Sequence, residues 1–149
     1  MIRALVAVGT LLVLAFAILG TAVYLTRDED RIAVDNLLAE DISREIGTAE
    51  DRGGRLDLGQ VTDFAWSELL LVERGTPRAA ISRELGSEWK GDVPAQTGAV
   101  LIFLDGTRVE RFADYRGEGS FEGFRRPIAR FARADAVFEV RALVVRPSA

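Results

Sequence analysis

The segment Ser87–Lys90 has the S-x-x-K spacing of the serine nucleophile in penicillin-recognising enzymes. That chemistry requires the serine to begin a helix, because the lysine one turn later then lies over its hydroxyl. Gly86 comes directly before the serine, at a position typical of a helix end. We therefore expect a loop with a packed Trp89 here, and no catalytic serine.

The 149 residues include no histidine and no cysteine. The chain therefore lacks the usual general base, a thiol nucleophile, zinc–thiolate ligands, disulfides and a lipid-modified cysteine. Three contiguous acid clusters could contact a divalent cation, but none has the alternating spacing of a calcium loop. They are Asp28-Glu29-Asp30, Glu40-Asp41 and Glu50-Asp51. We predict no catalytic residue, no metal site and no cofactor, while a pair of carboxylates distant in sequence stays open as an alternative.

Charge is distributed unevenly along the chain. Residues 28–115 carry a net charge of −9 and residues 116–149 a net charge of +3. The overall charge of −4 argues against nucleic acid as a partner. Residues 116–149 include four arginines whose first interpretation is that they are the charges of a solvated loop and of its flanking strands. They are Arg125, Arg126, Arg130 and Arg133. The alternative is a surface for an anionic partner beside the glycine-rich loop, formed by Trp89, Phe121, Phe124, Arg125 and Arg126.

Residues 4–25 contain no charged side chain. As a helix they would extend about 33 Å, enough to cross a hydrocarbon core of about 30 Å. The short N-terminal tail with Arg3 resembles a signal anchor, which places the rest of the chain outside the cytoplasm. A cleaved signal peptide is the alternative, because Gly20-Thr21-Ala22 fits a cleavage site. We predict a single-pass protein of the cell membrane with residues 1–27 as its anchor.

A juxtamembrane helix and linker are predicted over residues 28–54. Asp28 or Asp30 could cap the helix, and Gly47 is placed to end it. An apolar stripe with a spacing of four residues comprises Val34, Leu38, Ile42 and Ile46. The stripe either packs on the folded domain or forms the seam of a homodimer.

The folded domain is predicted over residues 55–147. Strands are expected at Arg55–Leu58 and Phe64–Val72, where branched and aromatic residues dominate. A short helix follows, with Thr76 as its N-cap, Pro77 at its first position and Gly86 at its end. Trp66 and Trp89 flank this helix, and we expect both to seal it against the sheet.

The remaining strands follow from turn and alternation signals. Asp105-Gly106 between two strand-like runs predicts a type I′ hairpin that pairs Leu104 with Thr107. Residues 114–127 are predicted to be a loop. Residues 136–144 alternate between apolar and charged side chains, as in one strand with one buried face. The element order predicts an α+β fold, with one small, mainly antiparallel sheet and one or two helices packed on one face.

These capping and turn signals resemble those of small, uncharacterised bacterial proteins that are exported or membrane-anchored. The helix ending at Leu85-Gly86, followed by a hairpin with Asp-Gly, is also loosely similar to the SmpA/OmlA outer-membrane assembly lipoproteins and to beta-lactamase-inhibitor-like modules. The resemblance covers residues 64–140 and implies a small binding module of the cell envelope. The missing lipidated cysteine is a departure from the outer-membrane lipoproteins.

The sequence thus predicts a membrane-anchored, extracytoplasmic interaction module without catalytic activity. Its expected partners are the membrane, through residues 4–25, and a protein or a second copy of the chain. The alternative is an extracytoplasmic enzyme that uses carboxylates, or an inhibitor of an envelope enzyme.

Overall fold

The computed structural model describes residues 35–91, 93 and 98–148. They form an α+β domain with two four-stranded, mainly antiparallel sheets and few helices. The predicted fold class is confirmed, but the expectation of one sheet is wrong. The predicted membrane segment, residues 4–25, lies outside the described residues. Within the described part of the chain, no helix is both long and apolar enough to cross a membrane.

The elements of the domain are, in chain order, helix α1 (Asn36–Asp51), strand β1 (Arg55–Asp57), the short helix α2 (Leu58–Val61), β2 (Glu68–Val72), helix α3 (Arg78–Leu85), β3 (Ala99–Asp105), β4 (Arg108–Tyr115), β5 (Ser120–Phe121), β6 (Ile128–Ala132), a 3-10 turn (Arg133–Asp135), β7 (Val137–Arg141) and β8 (Val144–Pro147).

Helix α1 begins at the N-cap Asp35, whose carboxylate accepts a hydrogen bond of 3.0 Å from the Leu38 N–H. The predicted stripe is buried in the core through Leu38, Ile42 and Ile46. Burial of each such side chain is worth about 1.5–3 kcal/mol, so this helix is part of the domain rather than an appendage.

The predicted end of α1 at Gly47 is wrong, and so is the linker placed after it, because the helix continues to Asp51. The chain leaves the helix only at Gly53 and Gly54, where φ is 103° and 77°. The Gly54 N–H donates to the Ala49 carbonyl at 2.7 Å, which satisfies a terminal acceptor of the helix.

The sheet with strand order β4-β3-β2-β6 is the middle layer of the domain. One face packs on α1 and the second sheet, through residues such as Leu69 and Phe103. The opposite face packs on α3, through residues such as Leu70 and Ile102. Burial on both faces explains why β2 and β3 are continuous apolar runs. The expectation that the helices share one face is therefore wrong.

The hairpin of β3 and β4 is confirmed, but its predicted register is wrong. Asp105 pairs with Arg108, so the two-residue loop is Gly106-Thr107 rather than Asp105-Gly106. Gly106 has φ = 62°, as a type II′ turn requires at its first central residue. A register shift between Phe103 and Leu104 then moves the rest of β4 by a further residue.

The predicted single strand over residues 136–144 is wrong, because the chain turns at Ala142 and Leu143. Both residues have positive φ, at 51° and 60°, a conformation that costs a residue with a side chain about 1 kcal/mol or more. The Glu50 carboxylate accepts hydrogen bonds from their N–H groups, at 2.9 Å from Ala142 and 3.1 Å from Leu143. The turn thus splits the segment into β7 and β8 of the second sheet, whose order is β1-β7-β8-β5.

Helix α3 ends at Gly86 as predicted, with φ = 73°. Its N-cap is Pro77 instead of Thr76, since the Thr76 hydroxyl donates to the Glu73 carbonyl at 2.7 Å. The two tryptophans do not share the contact with α3. Trp89 packs on the same side of the sheet as the helix, whereas Trp66 lies on the opposite side.

Two further strand predictions need correction. Residues 64–67, assigned to the second strand, precede it, because β2 begins at Glu68. The predicted loop over residues 114–127 contains β5, and it is followed directly by β6, which was not predicted. Strand β6 and the loop between β5 and β6 line an open groove.

Candidate functional site

The glycine-rich loop is held at its first end by the second sheet. The Ser120 N–H donates to the Leu143 carbonyl at 3.0 Å, and the Glu122 N–H to the Val145 carbonyl at 2.9 Å. This parallel pairing of β5 with β8 requires a close approach at Gly119, where a Cβ atom would lie 2.6 Å from the Leu143 oxygen. Gly119 also has φ = 99°, which favours glycine.

The loop is held at its other end by the middle sheet. The Pro127 carbonyl accepts a hydrogen bond of 2.8 Å from the Glu73 N–H, and β6 then pairs with β2 along its whole length. Residues 123–126 therefore connect two fixed strands, and their side chains are presented beside the edge of β6.

An open groove of about 740 Å³ lies beside β6. Its apolar part includes Phe124 and Phe131, whose rings meet edge to face with centroids 6.0 Å apart. Phe131 in turn packs on the core residue Phe138, with ring centroids 5.1 Å apart. Further lining residues come from the strands on both sides: Ile128, Ala129, Arg130, Arg146, Pro147 and Ser148. The groove therefore has an aromatic floor that the core fixes in place.

Arginines dominate the charge of this groove. Arg125 and Arg126 are exposed, and no carboxylate among the described residues lies within ion-pair distance of either guanidinium. Arg130 is held by Glu68 at 2.5 Å and by Glu84 at 3.4 Å. The aromatic floor thus lies beside two cations that have no counter-charge in the described part of the chain.

This arrangement suits the binding of an anionic group that carries apolar neighbours. The planar guanidinium of arginine matches the two oxygens of a carboxylate or phosphate. The aromatic floor removes apolar surface from water, which contributes about 25 cal/mol per Å². The only carboxylate that lines the groove within the described chain is Glu84, and it already pairs with Arg130.

The five residues predicted to form a binding surface are only partly brought together. Phe124, Arg125 and Arg126 line the groove. Phe121 lines a neighbouring cavity of about 350 Å³ and packs on Tyr115, with ring centroids 5.2 Å apart. Trp89 is 1% exposed and therefore offers no surface to a partner.

Trp89 is buried because α3 and the middle sheet enclose it. Its ring packs on that of Phe112, with ring centroids 5.0 Å apart, on the face of the sheet opposite to Phe124. The Arg78 guanidinium donates to the Trp89 carbonyl at 2.8 Å and so fixes the segment after the helix. Trp89 stabilises the fold, as the packing interpretation of this residue expects.

Sequence reasoning missed Phe131 and Arg146 as residues of the groove. Phe131 lies on β6, and Arg146 lies on β8, which the sequence joined to the preceding strand. The positive charge of residues 116–149 was the available signal, because it includes three of the groove's arginines before β7: Arg125, Arg126 and Arg130.

The S-x-x-K segment is not helical. Gly86 ends α3, and residues 87–90 form no helix, so Lys90 is not placed one helical turn from Ser87. Among the described residues, no three acids come together in a way that could hold a metal ion.

Among the described residues, Tyr115 is the one whose pKa the fold changes clearly. Burial raises the pKa of its phenol, a hydrogen bond with Ser43 acts in the opposite direction, and the nearby Glu118 carboxylate raises the pKa further. The hydroxyl donates to the Glu118 carbonyl. A phenol with a raised pKa stays neutral at physiological pH, so we assign Tyr115 a role in packing.

Comparison of the chain with family models, curated proteins and solved structures found no match. The resemblance to envelope proteins therefore stays a prediction, and the groove is interpreted from its own geometry.

Proposed function

We propose that the chain is a membrane-anchored, extracytoplasmic interaction module that binds an acidic protein segment through the groove beside β6. The observation that carries this proposal is the pair Arg125 and Arg126. Both guanidinium groups lack a carboxylate partner in the described part of the chain, and both lie beside the aromatic floor at Phe124.

The anchor in this proposal is residues 4–25. Their length and lack of charge match a membrane-spanning helix, and Arg3 favours an N-terminus inside the cytoplasm. The domain would then work outside the cytoplasm on a single-pass anchor. Mass spectrometry of the mature chain tests this part, because a protein that begins at Val23 would be a secreted form without an anchor.

A protein fits the groove better than a nucleic acid does. Residues 28–115, which supply most of the domain, carry a net charge of −9 and would repel a phosphate backbone. The cationic surface at Arg125 and Arg126 is small and adjoins apolar rings. A short segment with a few acidic residues and apolar neighbours satisfies both features.

Catalysis is not part of the proposal. An enzyme based on carboxylates needs two of them on either side of a substrate bond. The groove offers Glu84 alone among the described residues, and Arg130 neutralises it. An inhibitor of an envelope enzyme would use the same groove, and identification of the partner would reveal that case.

Photocrosslinking in intact membranes tests the proposed function. The full chain would carry a photoreactive side chain at Ala129, which lines the groove on β6, or at Arg55, on strand β1 at the far edge of the second sheet. We expect a distinct crosslinked protein from position 129 and none from position 55. Recovery of uncrosslinked monomer from both positions would contradict the proposal.

A further inference from the structure

Strand β6 is an edge strand of the middle sheet. It pairs with β2 on one side, and within the described residues no strand pairs with its other side. An open edge presents unpaired N–H and C=O groups that can accept another strand. The groove of about 740 Å³ lies along this edge.

The pairing with β2 identifies which backbone groups of β6 face outward. The Glu73 N–H donates to the Pro127 carbonyl, and the Arg133 N–H donates to the Ser67 carbonyl. In an antiparallel pair the residues alternate between those bonded to the neighbouring strand and those directed away from it. The N–H and C=O groups of Ile128, Arg130 and Ala132 are therefore directed away from β2. They lie along the five residues of β6, which span about 17 Å.

Side chains near this edge divide into apolar and charged groups. Phe131 and Ala129 lie on the side of the groove floor, where Phe124 contacts Phe131. Arg125 and Arg126 lie at the start of β6, where the loop joins the strand. A strand laid along the edge would place alternate side chains on the floor and its end beside these two cations.

We propose that the partner binds as an extended acidic segment that adds a strand to the open edge of β6. Its apolar side chains lie on the floor formed by Phe124 and Phe131, and its acidic residues bind Arg125 and Arg126. This inference rests on the proposed function. It adds that backbone hydrogen bonds to β6 hold the bound segment in its extended conformation. About five residues of the partner suffice to cover β6.

Selection from a displayed library of random decapeptides tests the inference on the full chain in discs of neutral lipid. We expect the selected peptides to share acidic residues next to an alternating apolar pattern. Their affinity should fall at least tenfold in the variant with Arg125→Ala and Arg126→Ala. It should stay unchanged with Arg52→Ala and Arg55→Ala, a control that removes two exposed arginines elsewhere.

Methylation of peptide nitrogens then separates strand addition from other binding modes. An added strand directs every second N–H to β6, so methylation at those positions should weaken binding about tenfold. Methylation at the positions between them should have little effect. Acidic peptides whose binding shows no such alternation would overturn strand addition while leaving the proposed function intact.

Three other outcomes would overturn both proposals. The first is selection of peptides without acidic residues. The second is a selected peptide whose affinity is the same with and without Arg125 and Arg126. The third is an absence of selected peptides together with arginine-dependent binding to phosphatidylglycerol vesicles, which would make lipid headgroups the partner of this groove.

Discussion

Arginines lie at both ends of β6, and their surroundings differ. After the strand, the Arg133 guanidinium donates to the Phe64 carbonyl at 3.1 Å and to the Gly59 carbonyl at 2.9 Å. It also lies 4.9 Å from the centre of the Trp66 ring. Before the strand, Arg125 and Arg126 are exposed and have no such contacts within the described chain.

The comparison separates arginines that hold the fold from arginines that are available to a partner. All three belong to the same cationic tail, so their number and charge do not distinguish them. The Arg133 guanidinium donates hydrogen bonds to two carbonyls that would otherwise lack a donor. Within the described residues no carboxylate pairs with Arg125 or Arg126, and this difference is the basis of the proposed function.

The largest effect is expected at Arg133. Arg133→Ala should lower the free energy of unfolding by about 2–3 kcal/mol, because two part-buried carbonyls lose their donor and the contact with Trp66 is lost. Urea denaturation of the full chain in detergent measures this change. Arg133→Lys should recover only part of the loss, since an ammonium lacks the planar fork. A change below about 0.5 kcal/mol would show that Arg133 does not stabilise the fold, which contradicts the difference between the arginines at the two ends of β6.

A carboxylate that is fixed by the fold should behave like Arg133. Glu50→Ala should cost about 1–2 kcal/mol, because the positive-φ turn at Ala142 and Leu143 loses two charge-assisted hydrogen bonds. Urea denaturation again gives the value, with Glu40→Ala, an exposed acid of the same helix, as the control. A smaller cost of Glu50→Ala in a Leu143→Gly background would show that the carboxylate offsets the strain of the turn. Equal costs in both backgrounds would contradict that role.

The smallest effect on stability is expected at the free arginines. The double variant Arg125→Ala and Arg126→Ala should change the free energy of unfolding by less than about 0.5 kcal/mol, since no ion pair of the described chain is lost. The control pair Arg52→Ala and Arg55→Ala should behave alike in the same denaturation experiment. A loss above about 1 kcal/mol in the first pair alone would make these arginines structural.

Local signals predicted several parts of the fold correctly. The apolar stripe at Leu38, Ile42 and Ile46 predicted a buried helix face, and Gly86 predicted the end of α3. The hairpin was predicted from Asp105-Gly106, but its register depends on a turn type and a bulge that this dipeptide does not determine. Signals confined to one turn or one helix face thus predicted correctly that a helix or hairpin exists.

Features that depend on distant residues could not be predicted in this way. Ala and Leu rarely adopt positive φ, so the turn at Ala142 and Leu143 has no local signal. Its stabilising group is Glu50, which lies 92 positions before Ala142. Strand β6 was missed for a related reason, since its five residues follow a loop and depend on pairing with β2.

The candidate site was predicted in part. The glycine-rich loop and its charge pointed to Phe124, Arg125 and Arg126, all of which line the groove. Trp89 was included as an exposed aromatic, but helix α3 and the sheet cover it. Exposure of a large aromatic residue depends on the packing of distant elements, and the sequence pattern around Trp89 does not contain that information.

The most direct test of the proposed groove compares the yield of crosslinked partner from position 129 in three forms of the full chain. These are the unchanged chain, the variant without the arginines at 125 and 126, and the control variant without those at 52 and 55. We expect at least a tenfold lower yield for the first variant and an unchanged yield for the control. Equal yields from all three chains would show that the free arginines beside β6 do not bind the partner.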